Sequence, residues 1–138
     1  MRVFLDANIV FSAAKSDGAI RLLLDLLVTR RHECWIDEYV LEEARRNLAA
    51  KFPAAMGRLE ALVAQFKIGA TSAPVGLVEM LAWLPAKDRP VLLSAMRLRC
   101  DVLVTGDRKH FGSGYGKTFD GVTVYSARSL AEVILRER

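Results

Sequence analysis

The sequence is poor in cysteine. Cys34 and Cys100 are the only two among 138 residues, far apart and without a second pair. That pattern supports neither a disulfide framework nor a cysteine-based zinc site, and it fits two buried thiols in a reducing compartment. Long apolar runs are also missing. The most hydrophobic segments, Leu22 to Val28 and Leu77 to Leu84, contain Asp25 and Glu79 and fall well short of the roughly 20 residues needed to cross a bilayer. Near the front, Arg2 leads into an apolar stretch that Asp6 interrupts almost at once, too short for the core of an export signal. A cytoplasmic protein with no membrane segment is therefore expected. Internal repeats, low-complexity tracts and linkers are absent as well. The net charge of +4 is mild, so it tilts only slightly toward a polyanionic partner.

What is present is core-forming material. Hydrophobic residues make up 52% of the chain, ample for one core, and the length predicts a single domain over residues 1–138. Arg2-Val3-Phe4-Leu5 reads as a short buried strand ending on Asp6. A short helix over Ile9 to Lys15 follows, and Asp17-Gly18 opens a longer one with Ile20, Leu23, Leu24 and Leu27 at helical spacing. Glu33 to Ile36 reads as a second strand, after which Asp37 or Glu38 starts a helix to about Ala50. Pro53 begins another helix to about Phe66, and Lys67 to Gly69 reads as a short strand. Val75 to Leu84 is expected to be helical, and Lys87-Asp88-Arg89-Pro90 launches a helix to about Arg99. Asp101 to Val104 is a further strand, residues 112–120 a Gly- and Ser-rich loop, Val122 to Tyr125 the last strand, and Ser126 the cap of a final helix. Alternating strands and helices imply parallel pairing through crossovers. The expected fold is thus α/β, a central parallel sheet of about four to five strands flanked by helices.

In such a sheet, ligands bind beyond the carboxyl ends of the strands. Asp6 and Asp107 both stand there, in "VFLDANIV" and "DVLVTGDRKHF". A lone strand-terminal Asp is more often a turn former or helix cap; two after short buried strands are less ordinary. A third acid comes from "EYVLEEARRNL", where Val40, Leu41, Ala44 and Leu48 form the apolar stripe. Glu42 then falls opposite the stripe, in solvent, while Glu43 falls at its edge beside Asn47. Asp88, just before Pro90, fits a helix N-cap on pattern alone. Four carboxylates brought together repel, by roughly 4 kcal/mol for each pair about 4 Å apart at an effective dielectric near 20. A divalent cation relieves that repulsion, and an all-oxygen ligand set selects Mg²⁺ or Mn²⁺. Such an ion activates water and neutralises a phosphodiester under attack, and Arg108 and Lys109 suit the phosphate backbone. His110 reads as a surface residue.

At these residues the chain resembles the PIN-domain family of metal-dependent ribonucleases, which includes the toxins of VapC-type toxin–antitoxin pairs. The matching motifs are "VFLDANIV", "VLEEARRNL", "KDRPVLLSAM" and "DVLVTGDRKHF", in family order from the first strand onward. The resemblance implies that Asp6, Glu43, Asp88 and Asp107 are the catalytic acids and metal ligands, supported by Asn8 and Thr105. It further implies hydrolysis of single-stranded RNA with Mg²⁺ or Mn²⁺, an α/β/α sandwich, and an antitoxin and a second copy of the chain as candidate partners. The competing reading is a non-catalytic PIN-like module that binds RNA or protein. A haloacid-dehalogenase-type phosphatase is disfavoured, because it requires a second Asp where this chain has Asn8.

Overall fold

The computed structural model describes residues 1–71 and 79–137. Strands and helices alternate along most of the chain: β1 (Arg2–Leu5), α1 (Ala7–Lys15), α2 (Ala19–Thr29), β2 (Glu33–Asp37), α3 (Glu38–Lys51), α4 (Met56–Val63), β3 (Lys67–Gly69), α5 (Arg89–Arg97), β4 (Val102–Val104), α6 (Arg108–Phe111), β5 (Thr118–Phe119), β6 (Val122–Tyr125) and α7 (Ala127–Leu135). One sheet runs in the order β3-β2-β1-β4-β6-β5, parallel throughout except for the antiparallel β5–β6 pair. Helices flank it, as an α/β/α arrangement requires.

The central strands read as continuous apolar runs because helices cover both faces. Val3, Phe4 and Leu5 on β1 are fully buried, as are Leu103 and Val104 on β4. These two strands are neighbours, with Val3 opposite Val102 and Leu5 opposite Val104. From β1 the chain winds outward through β2 and β3, then returns to β4 on the other side. The β1/β4 junction is therefore the place where the winding reverses, and there the carboxyl ends of two parallel strands open a crevice. Cys34 and Cys100 are buried free thiols, and burial pushes each up to about 12. Among the described residues no helix is long and apolar enough to cross a membrane.

Several local expectations are corrected. Among the described residues the sheet has six strands rather than four to five, because residues 112–120 are not merely a loop. They include a 3-10 turn at Gly112–Gly114 and the strand β5, which pairs with β6 at Thr118–Thr123 and Phe119–Val122. The hairpin turns on Asp120 and Gly121, whose φ values of 48° and 84° are both positive. An Asp-Gly pair between two extended segments is the signature of such a turn. The helix expected from Pro53 to Phe66 is divided into a 3-10 turn at Pro53–Ala55 followed by α4. Of the helix expected over Val75 to Leu84, residues 75–78 lie outside the described residues. Glu79–Leu81 is a 3-10 turn, and the carbonyls of Leu81 and Leu84 accept hydrogen bonds from Arg89 Nε at 3.2 and 2.9 Å.

Candidate active site

The acids are delivered by the ends of secondary-structure elements. Asp6 leaves β1 and caps α1, its Oδ1 accepting from the Ala7 N–H at 2.8 Å. Asp107 follows β4 and caps the short α6, its Oδ1 accepting from the His110 N–H at 3.1 Å. Capping therefore occupies Oδ1 of each carboxylate, while Oδ2 of each meets side chains of the site instead. Asp37, at the end of β2, is a contrast: it is buried, and its Oδ1 caps α3 through the Val40 N–H at 2.8 Å. A strand-terminal Asp alone does not make a site.

Asn8 and Thr105 join the two strand ends. Thr105 Oγ1 donates to Asp6 Oδ2 at 2.7 Å and accepts from the Asp107 N–H at 3.1 Å. Asn8 Nδ2 donates to the same Asp6 oxygen at 3.2 Å, while Asn8 Oδ1 accepts from the Gly106 N–H at 2.8 Å. Asp6 is thus fixed from both sides by groups that bracket the β4–α6 turn. The carbonyl of Thr105 accepts from Tyr115 Oη at 2.8 Å, which anchors that turn to the segment behind it.

Glu43 reaches the crevice from α3. Its neighbour Glu42 is exposed, as the helical wheel requires. Tyr39, one turn earlier, donates its hydroxyl to the Lys87 carbonyl at 3.3 Å, holding the start of α3 against the segment that carries Asp88. Asp88 itself departs from expectation, because its side chain makes no capping hydrogen bond. Pro90 has no N–H to offer, and the Val91 N–H is taken by the Asp88 carbonyl at 3.2 Å. The carboxylate is left for the crevice.

Asp6, Glu43, Asp88 and Asp107 all line one cavity of about 270 Å³, with Asn8 on its wall. At its edge, Asp88, Asp107 and His110 each present a ligand atom, and these atoms lie within 4.8 Å of one another. His110 Nδ1 is 2.8 Å from Asp107 Oδ2 and 3.0 Å from Asp88 Oδ2. The Asp107 contact is a hydrogen bond. Asp88 Oδ2 is buried and has no aligned hydrogen-bond partner. His110 is therefore no ordinary surface residue. A signal existed in the sequence: a residue three positions after Asp107 on a helical turn shares its face.

Burial dominates the electrostatics. Asp6 is only 6% exposed, and desolvation pushes its carboxyl up to about 6; the hydrogen bonds from Thr105 and Ala7 work against the rise, whereas Glu43 and Asp88 add to it. Desolvation also raises Asp88, opposed by His110 and Lys87 and reinforced by Asp107. Tyr39 is raised by desolvation and by the nearby Glu43 and Asp88. Cations on the cavity wall are Lys51 and Lys87, which sequence reasoning did not single out. Arg108 and Lys109 are exposed on α6 and do not line the cavity.

The donor set suits a divalent cation. Two carboxylates and an imidazole converge, a buried carboxylate oxygen lacks a hydrogen-bond partner, and further acids raise the negative potential. Comparisons with known proteins place this arrangement in context. The family model for the PIN domain matches residues 2–109. A solved structure of VapBC2 from Rickettsia felis, bound to a DNA fragment from their promoter, superposes with a TM-score of 0.64 at 19% identity, covering 91% of this chain and 98% of that one. PAE2754 from Pyrobaculum aerophilum gives a TM-score of 0.67 at 20% identity, covering 99% and 91%. A comparison with curated proteins gave no match.

Proposed function

The chain belongs to the PIN domain family, and from that premise we propose that it is a Mg²⁺- or Mn²⁺-dependent endoribonuclease that hydrolyses phosphodiester bonds of single-stranded RNA. The observation that carries the reading is the convergence of Asp6, Glu43, Asp88 and Asp107 on one cavity at the strand-order reversal, with His110 between two of them.

Asp88, Asp107 and His110 would hold the cation, while Asp6 and Glu43 complete the anionic wall. When bound, the cation supplies activation of a water for attack on phosphorus and neutralises the charge that builds on the phosphate. Asn8 and Thr105 keep the Asp6 carboxylate in one orientation, a supporting role of the kind that tunes metal sites. His110 Nδ1 is hydrogen-bonded to Asp107 Oδ2 here, so to act as a ligand it would give up that contact and carry its proton on Nε2 instead. A nitrogen donor among oxygens favours Mn²⁺ over Mg²⁺. Lys51 and Lys87 stand where a phosphodiester entering the cavity would need counter-charge, and Arg108 and Lys109 serve the backbone at the rim.

The fold relative VapBC2, solved bound to a DNA fragment from its promoter, supports by analogy an antitoxin-type protein partner; a homodimer and a cytoplasmic location are proposed on the family resemblance alone. The deciding experiment is RNA cleavage with Mn²⁺ and with EDTA, comparing the native chain with Asp107→Asn. Cleavage that needs the metal and drops about 100-fold or more in the variant is expected, in line with loss of a charge-stabilising group. Equal activity in the two proteins refutes the proposal.

A further inference from the structure

We propose that the edge of α1 and α3 beside the acidic cavity is a stacking platform for a base of single-stranded RNA, with Phe52 as the stacking surface and Lys15 and Lys51 meeting the adjoining phosphates. The inference rests on the ribonuclease reading above and adds the direction in which the strand leaves the site.

Phe52 terminates α3 with φ −142° and ψ 63°, so the chain turns off the helix and the ring stands 44% exposed. The Phe11 ring, on α1, meets it edge-on at 5.9 Å. Lys15 Nζ lies 5.8 Å from the Phe11 centroid and 5.7 Å from that of Phe52, and Lys51 Nζ lies 5.8 Å from Phe11. A second cavity, of about 450 Å³, opens here between Lys15, Lys51, Phe52 and the 3-10 turn that follows. Lys51 is a wall of both cavities, and Phe11 lines the acidic one while touching Phe52. The platform and the carboxylates are thus parts of one continuous surface.

The charges on this edge are available. Arg58 is committed to Asp17 at 2.6 Å, whereas neither Lys15 nor Lys51 pairs with a carboxylate among the described residues. Cation–π contacts at exposed sites are weak, so a phosphate can draw either ammonium away and bare the ring for a base. An exposed aromatic between free cations is the composition of a single-strand track, since every base has a π-face and a duplex hides its own.

The test uses the full chain and a fluorescein-labelled oligouridylate of about twelve nucleotides, within the usual span of single-strand sites. Anisotropy is read in EDTA so that nothing is cut, with a duplex of matching length as the control. Phe52→Ala weakens binding about tenfold or more and Phe52→Tyr restores it, because stacking needs the ring. Lys15→Gln lowers the slope of log affinity against log salt by about 0.7, the value for one single-strand phosphate contact. With Mn²⁺, the defect of Phe52→Ala falls on KM. Unchanged affinity in Phe52→Ala, or a duplex bound as tightly and equally sensitive to it, overturns the platform and leaves this face to a protein partner. If the native chain cuts RNA while KM is unmoved in Phe52→Ala, the platform fails and the nuclease stands; if it neither cuts nor binds RNA, both fail. Should Phe52→Ala not fold, the Lys15→Gln slope decides.

Discussion

Replacing Asp6 by Asn should stabilise the metal-free fold and weaken its stabilisation by metal. The carboxyl of Asp6 titrates near 3.8 in an unfolded chain and at about 6 when folded, chiefly through burial. Below the lower value both states carry the proton and folding costs nothing extra. Between the two values the unfolded chain has lost a proton that the folded one keeps, so stability falls as pH rises, and above the higher value the full penalty applies. At about 1.4 kcal/mol per tenfold, the penalty reaches about 3 kcal/mol at pH 8. Asn removes the charge but turns a donor toward Asn8 Nδ2 and Thr105 Oγ1, which now both donate to Asp6 Oδ2, at 3.2 and 2.7 Å; the Thr105 hydroxyl can rotate and accept instead, so the lasting loss is the Asn8 hydrogen bond, about 1 kcal/mol. The net expectation is a gain of about 2 kcal/mol at pH 8 in EDTA, or about 6 °C in midpoint for a chain of this size. The gain should vanish between pH 4 and 5 and become a loss of about 0.5 kcal/mol at pH 4. Urea unfolding at both pH values, with EDTA and then with Mn²⁺, measures it. Metal at 100 times its Kd stabilises the native chain by about 2.7 kcal/mol, and the variant, with one negative charge fewer on the cavity wall, should lose part of that increment. A variant less stable than the native chain at pH 8 in EDTA would refute the claim that burial and neighbouring carboxylates hold Asp6 under electrostatic stress.

Other expectations follow from the same geometry. His110→Ala removes the nitrogen between Asp88 and Asp107; calorimetry should show Mn²⁺ affinity falling about tenfold and the preference for Mn²⁺ over Mg²⁺ narrowing, and an unchanged preference would exclude His110 as a ligand. Thr105→Val leaves Asp6 Oδ2 and the Asp107 N–H without the hydroxyl they share, which should cost about 2–3 kcal/mol in urea unfolding, as befits a buried pair of hydrogen bonds with one charged partner. Glu43→Gln should weaken metal-dependent cleavage strongly, while Glu42→Gln, one position earlier on the exposed face of α3, should change stability by less than about 0.5 kcal/mol and leave cleavage as it was. Equal effects from the two would place α3 in a different rotation.

How much of this could be read in advance depends on how far each feature reaches along the chain. Glu43 was separable from Glu42 because a helix repeats its faces every 3.6 residues, so the apolar stripe of Val40, Leu41, Ala44 and Leu48 fixes which neighbour meets the crevice. Val3 to Leu5 and Val102 to Val104 announced buried strands by unbroken apolar runs, and Asp6 and Asp107 were legible as the residues where those runs stop. The hairpin at Asp120-Gly121 is equally local, marked by an Asp-Gly pair between extended segments.

The sequence by itself determined the alternation of strand and helix, the strand-end positions of Asp6 and Asp107, and the face of α3 that carries Glu43, because each is written in residues a few places apart. Only the tertiary structure decided that Asp88 is free of its capping role, that His110 turns between Asp88 and Asp107, and that Lys51 and Lys87 rather than Arg108 and Lys109 wall the cavity. Those outcomes depend on how α3, α5 and α6 pack around the β1–β4 junction, and packing joins residues whose separation along the chain carries no periodic trace.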